Sequence, residues 1–94
     1  MTIQTAPEGV THEAWRDFRD QGPLRKWRKA EGLSLKFVSS EVLNVSMTMI
    51  QLYERGVHPV PENKYPALAD AMGVSEATLR RRFSAWNKLD PRGA

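Results

Sequence analysis

Arginine and lysine are the side chains best equipped for chemistry in this 94-residue chain, and they fall into two clusters. Within residues 23 to 36, Arg25, Lys26, Arg28, Lys29 and Lys36 face only Glu31, a local charge of +4. Residues 76 to 94 carry +3, centred on Arg80, Arg81 and Arg82. Residues 1 to 22 carry −2, from Glu8, Glu13, Asp17 and Asp20 against Arg16 and Arg19, and the whole chain is +3. Two separated basic clusters make the electrostatic footprint of a partner with a phosphate backbone, while a solvated helix face is the plainer use of either one. Between them lies NVSMTMIQLYERG, residues 44 to 56, where Thr48 and Gln51 can hydrogen-bond base edges beside the apolar Met47, Met49 and Leu52.

Catalytic chemistry finds little to work with. His12 and His58 stand 46 positions apart with no carboxylate at ligand spacing, cysteine is absent, and no glycine-rich phosphate loop occurs. The expectation is therefore a protein that is not an enzyme, with no metal, no cofactor and no small-molecule ligand. Trp15, Trp27 and Trp86 stand at helical spacing from other apolar residues and are assigned to the core rather than to base stacking.

Those side chains must be positioned by helices, because no stretch has the alternating, β-branched character of a strand. Thr11 caps a helix to about Asp20, and Gly22 with Pro23 ends it and opens a second, 23 to 31. Ser34 caps a third helix, 35 to 43, with Leu35, Val38 and Val42 inward. Asn44 suits a left-handed turn, Ser46 caps a fourth helix at 47 to 55, and Gly56 stops it. VHPVP, 57 to 61, must be extended, since each proline disfavours helix in the residue before it. A fifth helix begins near Asn63 or Lys64 and ends at Gly73, and Ser75 caps a sixth with Leu79, Phe83 and Trp86 on one stripe.

Composition bounds the rest. With 40% hydrophobic and 27% charged residues, no long apolar run and no signal-like start, the chain reads as one cytoplasmic domain with no membrane partner. Residues 1 to 10 read as a flexible arm, 11 to 88 as the domain, and 89 to 94, with Pro91 and Gly93, as a frayed end.

Residues 24 to 75 resemble the Cro/repressor-type, or Xre-like, helix-turn-helix family. The likeness rests on LRKWRKAEG, the GLS entry to the next helix, NVS at the turn, YERG after it, and ALADAMGVS. It implies an all-α, lambda-repressor-like bundle of about five to six short helices containing a helix-turn-helix. In that geometry Ser39 and Ser40 keep the supporting helix slim, Ile50 and Tyr53 anchor the reading helix, and the amides near Ser46 meet a phosphate. Met47, Thr48, Gln51 and Leu52 then face outward, with Lys36 and Arg55 near the backbone. Between GLS and NVS this chain has one residue more than the family's usual spacing, so the supporting helix or its turn must differ locally.

A second stretch, LADAMGVSEATLRRRF at 68 to 83, also resembles a helix-turn-helix. Read so, Ser75 caps its second helix, Glu76, Ala77, Arg80 and Arg81 face outward, and Arg25 and Lys26 serve this pair or the backbone. Either pair could enter a major groove. The function implied is sequence-specific binding of double-stranded DNA by a small bacterial or phage regulator, as a homodimer on a palindromic site. Met47, Met49 and Leu52 leave open another use: a protein-interaction module, antiactivator-like, built on the same scaffold.

Overall fold

Each helix begins and ends on residues whose local chemistry requires it. The structure, a computed structural model, describes residues 6–93. Helix α1 (His12–Asp20) starts where Thr11 Oγ1 accepts the Ala14 amide, and α2 (Pro23–Ala30) carries Pro23 in its first turn. Ser34 Oγ accepts the Phe37 amide to open α3 (Leu35–Phe37), and Ser46 Oγ accepts that of Met49 to open α4 (Met47–Glu54). A 3-10 turn, Glu62–Lys64, leads into α5 (Tyr65–Met72), and α6 (Glu76–Asn87) is opened by Ser75 capping Thr78. Each hydroxyl supplies an acceptor that first-turn amides lack, worth about 1 kcal/mol per cap. No strand occurs among the described residues, and the architecture is all-α, as the periodicity predicts. Nor is any helix among them long and apolar enough to cross a membrane.

The segment after α3 departs from expectation. In place of one α-helix over 35 to 43, the backbone widens into a π-helical segment, Val38–Val42, and the Leu43 amide donates to the Val38 carbonyl five residues back, at 3.0 Å. A π turn is the means by which a helix absorbs one extra residue without losing its direction. The wider turn puts both Val38 and Leu43 in the core, at 0% and 1% exposure, and leaves Val42 only partly buried. A 3.6-residue period points at Val42 instead, and that is why Leu43 escapes notice in the sequence. Both Ser39 and Ser40 donate their hydroxyls to the Lys36 carbonyl, at 2.9 and 2.8 Å, where the hydrogen-bond ladder changes pitch. Asn44 then adopts φ +52°, and the Val45 amide closes the turn on Ser39 O at 2.9 Å.

An aromatic ladder runs through the core. Trp15 stacks on Phe18 (centroids 5.6 Å apart), Phe18 on Trp86 (4.7 Å, planes 10° apart), and Phe83 joins Trp86 to Tyr65. The Trp86 indole N–H donates to Phe18 O at 2.7 Å, so α1 and α6 are joined by a buried hydrogen bond as well as by stacking. Gly56 makes this approach possible: its φ is +73°, and a Cβ there would lie 2.9 Å from the Phe18 ring and 3.2 Å from Trp86. Trp27, expected in the core, is only partly buried and walls a surface groove with Trp86.

Described residues near both ends make contacts with the body of the chain. Of the arm foreseen over residues 1 to 10, positions 1 to 5 lie outside the described residues, whereas Ala6 and Val10 pack on the core and the Val10 amide bonds Pro7 O. At the other end, foreseen as frayed over 89 to 94, Arg92 clasps Asp90, donates to Gly56 O at 2.8 Å and lies 4.7 Å over the Trp15 ring.

Candidate nucleic-acid interface

Helix α4 is held by α2, α3 and the π-helical segment packed against it. Ile50 and Tyr53 are buried and anchor its inner side, and with them goes Glu54, at 5% exposure. Arg28 of α2 meets this carboxylate with a two-pronged contact, Nε to Oε2 at 2.5 Å and the second nitrogen to Oε1 at 3.1 Å, while its third nitrogen donates to Leu33 O. The hydrogen bond to Glu54 raises the Arg28 pKa against the opposing effect of burial. Arg28, read from sequence as one of the outward cations, is thus an internal strut. A signal was present: Glu54 sits four residues from Ile50, on the apolar side of its helix, and a carboxylate there requires a cation brought to it.

On its other side α4 presents Met47, 49% exposed, and Thr48, also exposed, followed by Gln51 and Leu52, both partly buried. Met49 packs on the core, so of the three apolar residues in question only Met47 is largely free. Ser46 is occupied by the cap it makes to Met49. Thr48, Gln51 and Arg55 follow one another at intervals of three and four and share a face. Arg55 is the helix's C-terminal cap residue and Lys36 is exposed on α3. Gln51 and Arg55 also line a cleft of about 120 Å³, together with Arg19, Arg25, Arg28, Leu35 and Glu54. Arg19, assigned no role by sequence reasoning, enters the site from α1.

The second candidate pair, α5 and α6, is differently furnished. Leu79 anchors α6 in the core and Glu76 and Ala77 are exposed at its start, as the pattern predicts. Arg80 is ion-paired with Glu62 and lies 5.1 Å over the Tyr65 ring, and the hydrogen bond to Glu62 raises its pKa. Arg81 donates to Thr78 Oγ1 at 3.2 Å, and Ser75 is bound to the same threonine. Both arginines face outward, each with a local partner. Lys26 and Arg82 line the groove between α2 and α6, a cavity of about 560 Å³ walled also by Trp27, Met72 and Leu89.

Neither a protein-family model, nor a curated protein, nor a solved structure matches this chain.

Proposed function

We propose that this chain is a small sequence-specific double-stranded DNA-binding protein, a cytoplasmic transcriptional regulator of repressor type from a bacterium or phage. It acts as a homodimer on a palindromic operator, with α4 as the reading element of a helix-turn-helix. The observation that carries this reading is the outward stripe Thr48–Gln51–Arg55 on a helix whose opposite side is locked by Ile50, Tyr53 and the Arg28–Glu54 strut. A major groove admits a single α-helix, and specificity needs side chains held in place with their polar ends toward base edges. Lys36 and Arg55 flank the stripe with charge for the backbone, and Met47 offers an apolar contact to thymine methyls. Because Arg80 and Arg81 are partnered within the chain, α6 is assigned to the backbone or to the dimer mate. Occlusion of a promoter by such a dimer needs no further chemistry.

A second reading draws on Met47 and Phe37, 49% and 45% exposed: an antiactivator-like module that binds another protein through apolar contact. Fluorescence anisotropy against a panel of duplexes separates the two. DNA binding through six or more phosphate contacts should weaken about a thousandfold or more between 50 and 200 mM salt. Thr48→Ala with Gln51→Ala should flatten the preference among sequences while leaving nonspecific affinity nearly intact. An equal loss on every sequence reduces the pair to backbone contacts, and no binding at any salt hands the argument to the protein-interaction reading.

A further inference from the structure

Three arginines converge on one cleft from three different elements. Arg19 comes from the last turn of α1, Arg25 from α2 and Arg55 from the end of α4, and Gln51, Leu35 and the Arg28–Glu54 pair complete the lining. Both oxygens of Glu54 are taken by Arg28. Asp20 stands 3.5 Å from the Arg25 Nε, beyond a good hydrogen bond, and is itself 53% exposed. Arg19 Nε is closed off from solvent and has no hydrogen-bond partner among the described residues. A buried donor without an acceptor is expensive to keep. Its surroundings also repel one another: burial first, then Arg25 and Arg55, lower the Arg19 pKa, with Asp20 opposing.

We propose that this cleft binds a phosphoryl oxyanion through Arg19, Arg25 and Arg55. The chemistry selects the ligand class. A tetrahedral phosphate carries enough acceptor oxygens to serve several guanidinium forks from different directions, whereas a carboxylate has two oxygens and chloride no directional lone-pair fork to match. The cleft's 120 Å³ accommodates several waters and therefore a group of five heavy atoms. Arg55 lies on the same face as Thr48, about 10 Å along the α4 axis. Where the DNA reading holds, the occupant is a backbone phosphate beside the base pairs that Thr48 and Gln51 meet, and for that source the inference rests on the proposed function. Arg19 belongs to α1, outside the stretch 24 to 75 that carries the family resemblance.

The test is thermal melting in inorganic phosphate against sodium chloride at equal ionic strength, for the wild type, Arg19→Gln and Arg55→Gln. A ligand at ten times its Kd should raise the Tm of a domain this size by about 5 °C or more, and beyond the Kd the rise should follow the logarithm of phosphate concentration. Both variants should lose that logarithmic rise. Arg55→Gln leaves the buried Arg19 nitrogen untouched, which keeps the test valid if Arg19→Gln melts early. A wild-type response that is only linear in phosphate concentration, as with any excluded salt, overturns the site, as does a full response in both variants. A second arm measures the salt slope on a duplex. A fall of about 1 in that slope for Arg55→Gln, with the phosphate response lost, assigns the site to a DNA phosphate. An unchanged slope with the phosphate response lost assigns it to free phosphate or a small phosphorylated ligand. If the wild type ignores every duplex yet keeps its phosphate response, the anion site stands and the DNA reading falls.

Discussion

Glu54 stands one residue from Tyr53 and four from Ile50, and it is as buried as either apolar neighbour's environment demands, at 5% exposure. A charge so placed persists because Arg28 brings both prongs of its guanidinium to the carboxylate and uses a third nitrogen on Leu33 O. Such a pair adds less to stability than its geometry suggests, because desolvation offsets most of the attraction, yet breaking it leaves a charge stranded. Glu54→Gln should therefore lower stability by about 3 kcal/mol, read as a drop in the urea midpoint with little change in slope. Replacing both partners, Arg28→Met with Glu54→Leu, should recover much of that loss. Should the single variant unfold like the wild type, α4 is held by its apolar contacts alone. The partner of Glu54 lies 26 residues away, and no local pattern singles out Arg28 from the four other cations between 23 and 36.

At the scale of the element, the π-helical segment decides how α4 is presented. An ordinary α-helix of the same length would turn Leu43 away from Val38, whereas the wider turn buries both. The resemblance places one surplus residue here, and the observed i→i+5 hydrogen bond from Leu43 to Val38 is the form that such a surplus takes. Ser40 is exposed and its hydroxyl shares the Lys36 carbonyl with Ser39, so it is the residue whose removal disturbs least. Deleting Ser40 should convert the segment to a regular α-helix, restore an i, i+4 stack of Val38 on the former Leu43, and leave the fold intact. Circular dichroism should then show a cooperative melt within about 5 °C of the wild type, a shift of roughly 1 kcal/mol. A broad, non-cooperative melt would mean that the bulge is required for folding.

Across the described residues, the segment after α6 is fastened back on α1 and on the turn after α4. Arg92 bonds Asp90, reaches Gly56 O and covers Trp15 of α1, close to the aromatic ladder that joins α1 to α6. A radius of gyration of 13.2 Å, against about 12 Å for a compact chain of this length, fits a single body closed in this way. The hydrogen bond from Arg92 holds the Asp90 carboxyl below the usual carboxylate range, with burial opposing. Its folded pKa being depressed, Asp90 contributes stability that is present above about pH 4 and lost as pH falls through the folded value, because the unfolded chain takes up that proton first. Asp90→Asn should lower the Tm at neutral pH and make the decline below pH 4 shallower than in the wild type. Parallel acid limbs for the two proteins, in a Tm series from pH 2 to 7, would show that the clasp carries no stability.

Sequence by itself determined where most of the helices start and stop, the segment 35 to 43 excepted. Thr11, Ser34, Ser46 and Ser75 act on amides within three residues, and Asn44, Gly56 and Gly73 adopt the left-handed conformation at the ends they close. Such effects need only a few neighbouring residues, so they can be read along a single chain, and the all-α class follows from them. Tertiary structure decided which charges meet. Arg28 went inward to Glu54, Arg19 joined Arg25 and Arg55, and Arg92 crossed 36 positions to Gly56, although nothing along the sequence sets these arginines apart from the solvated cations. The reason is physical: a long side chain on a helix is committed by whatever the packing angle brings within a few ångströms of it, and that angle depends here on a wide turn at Val38–Val42 and on a Phe18–Trp86 contact 68 residues apart.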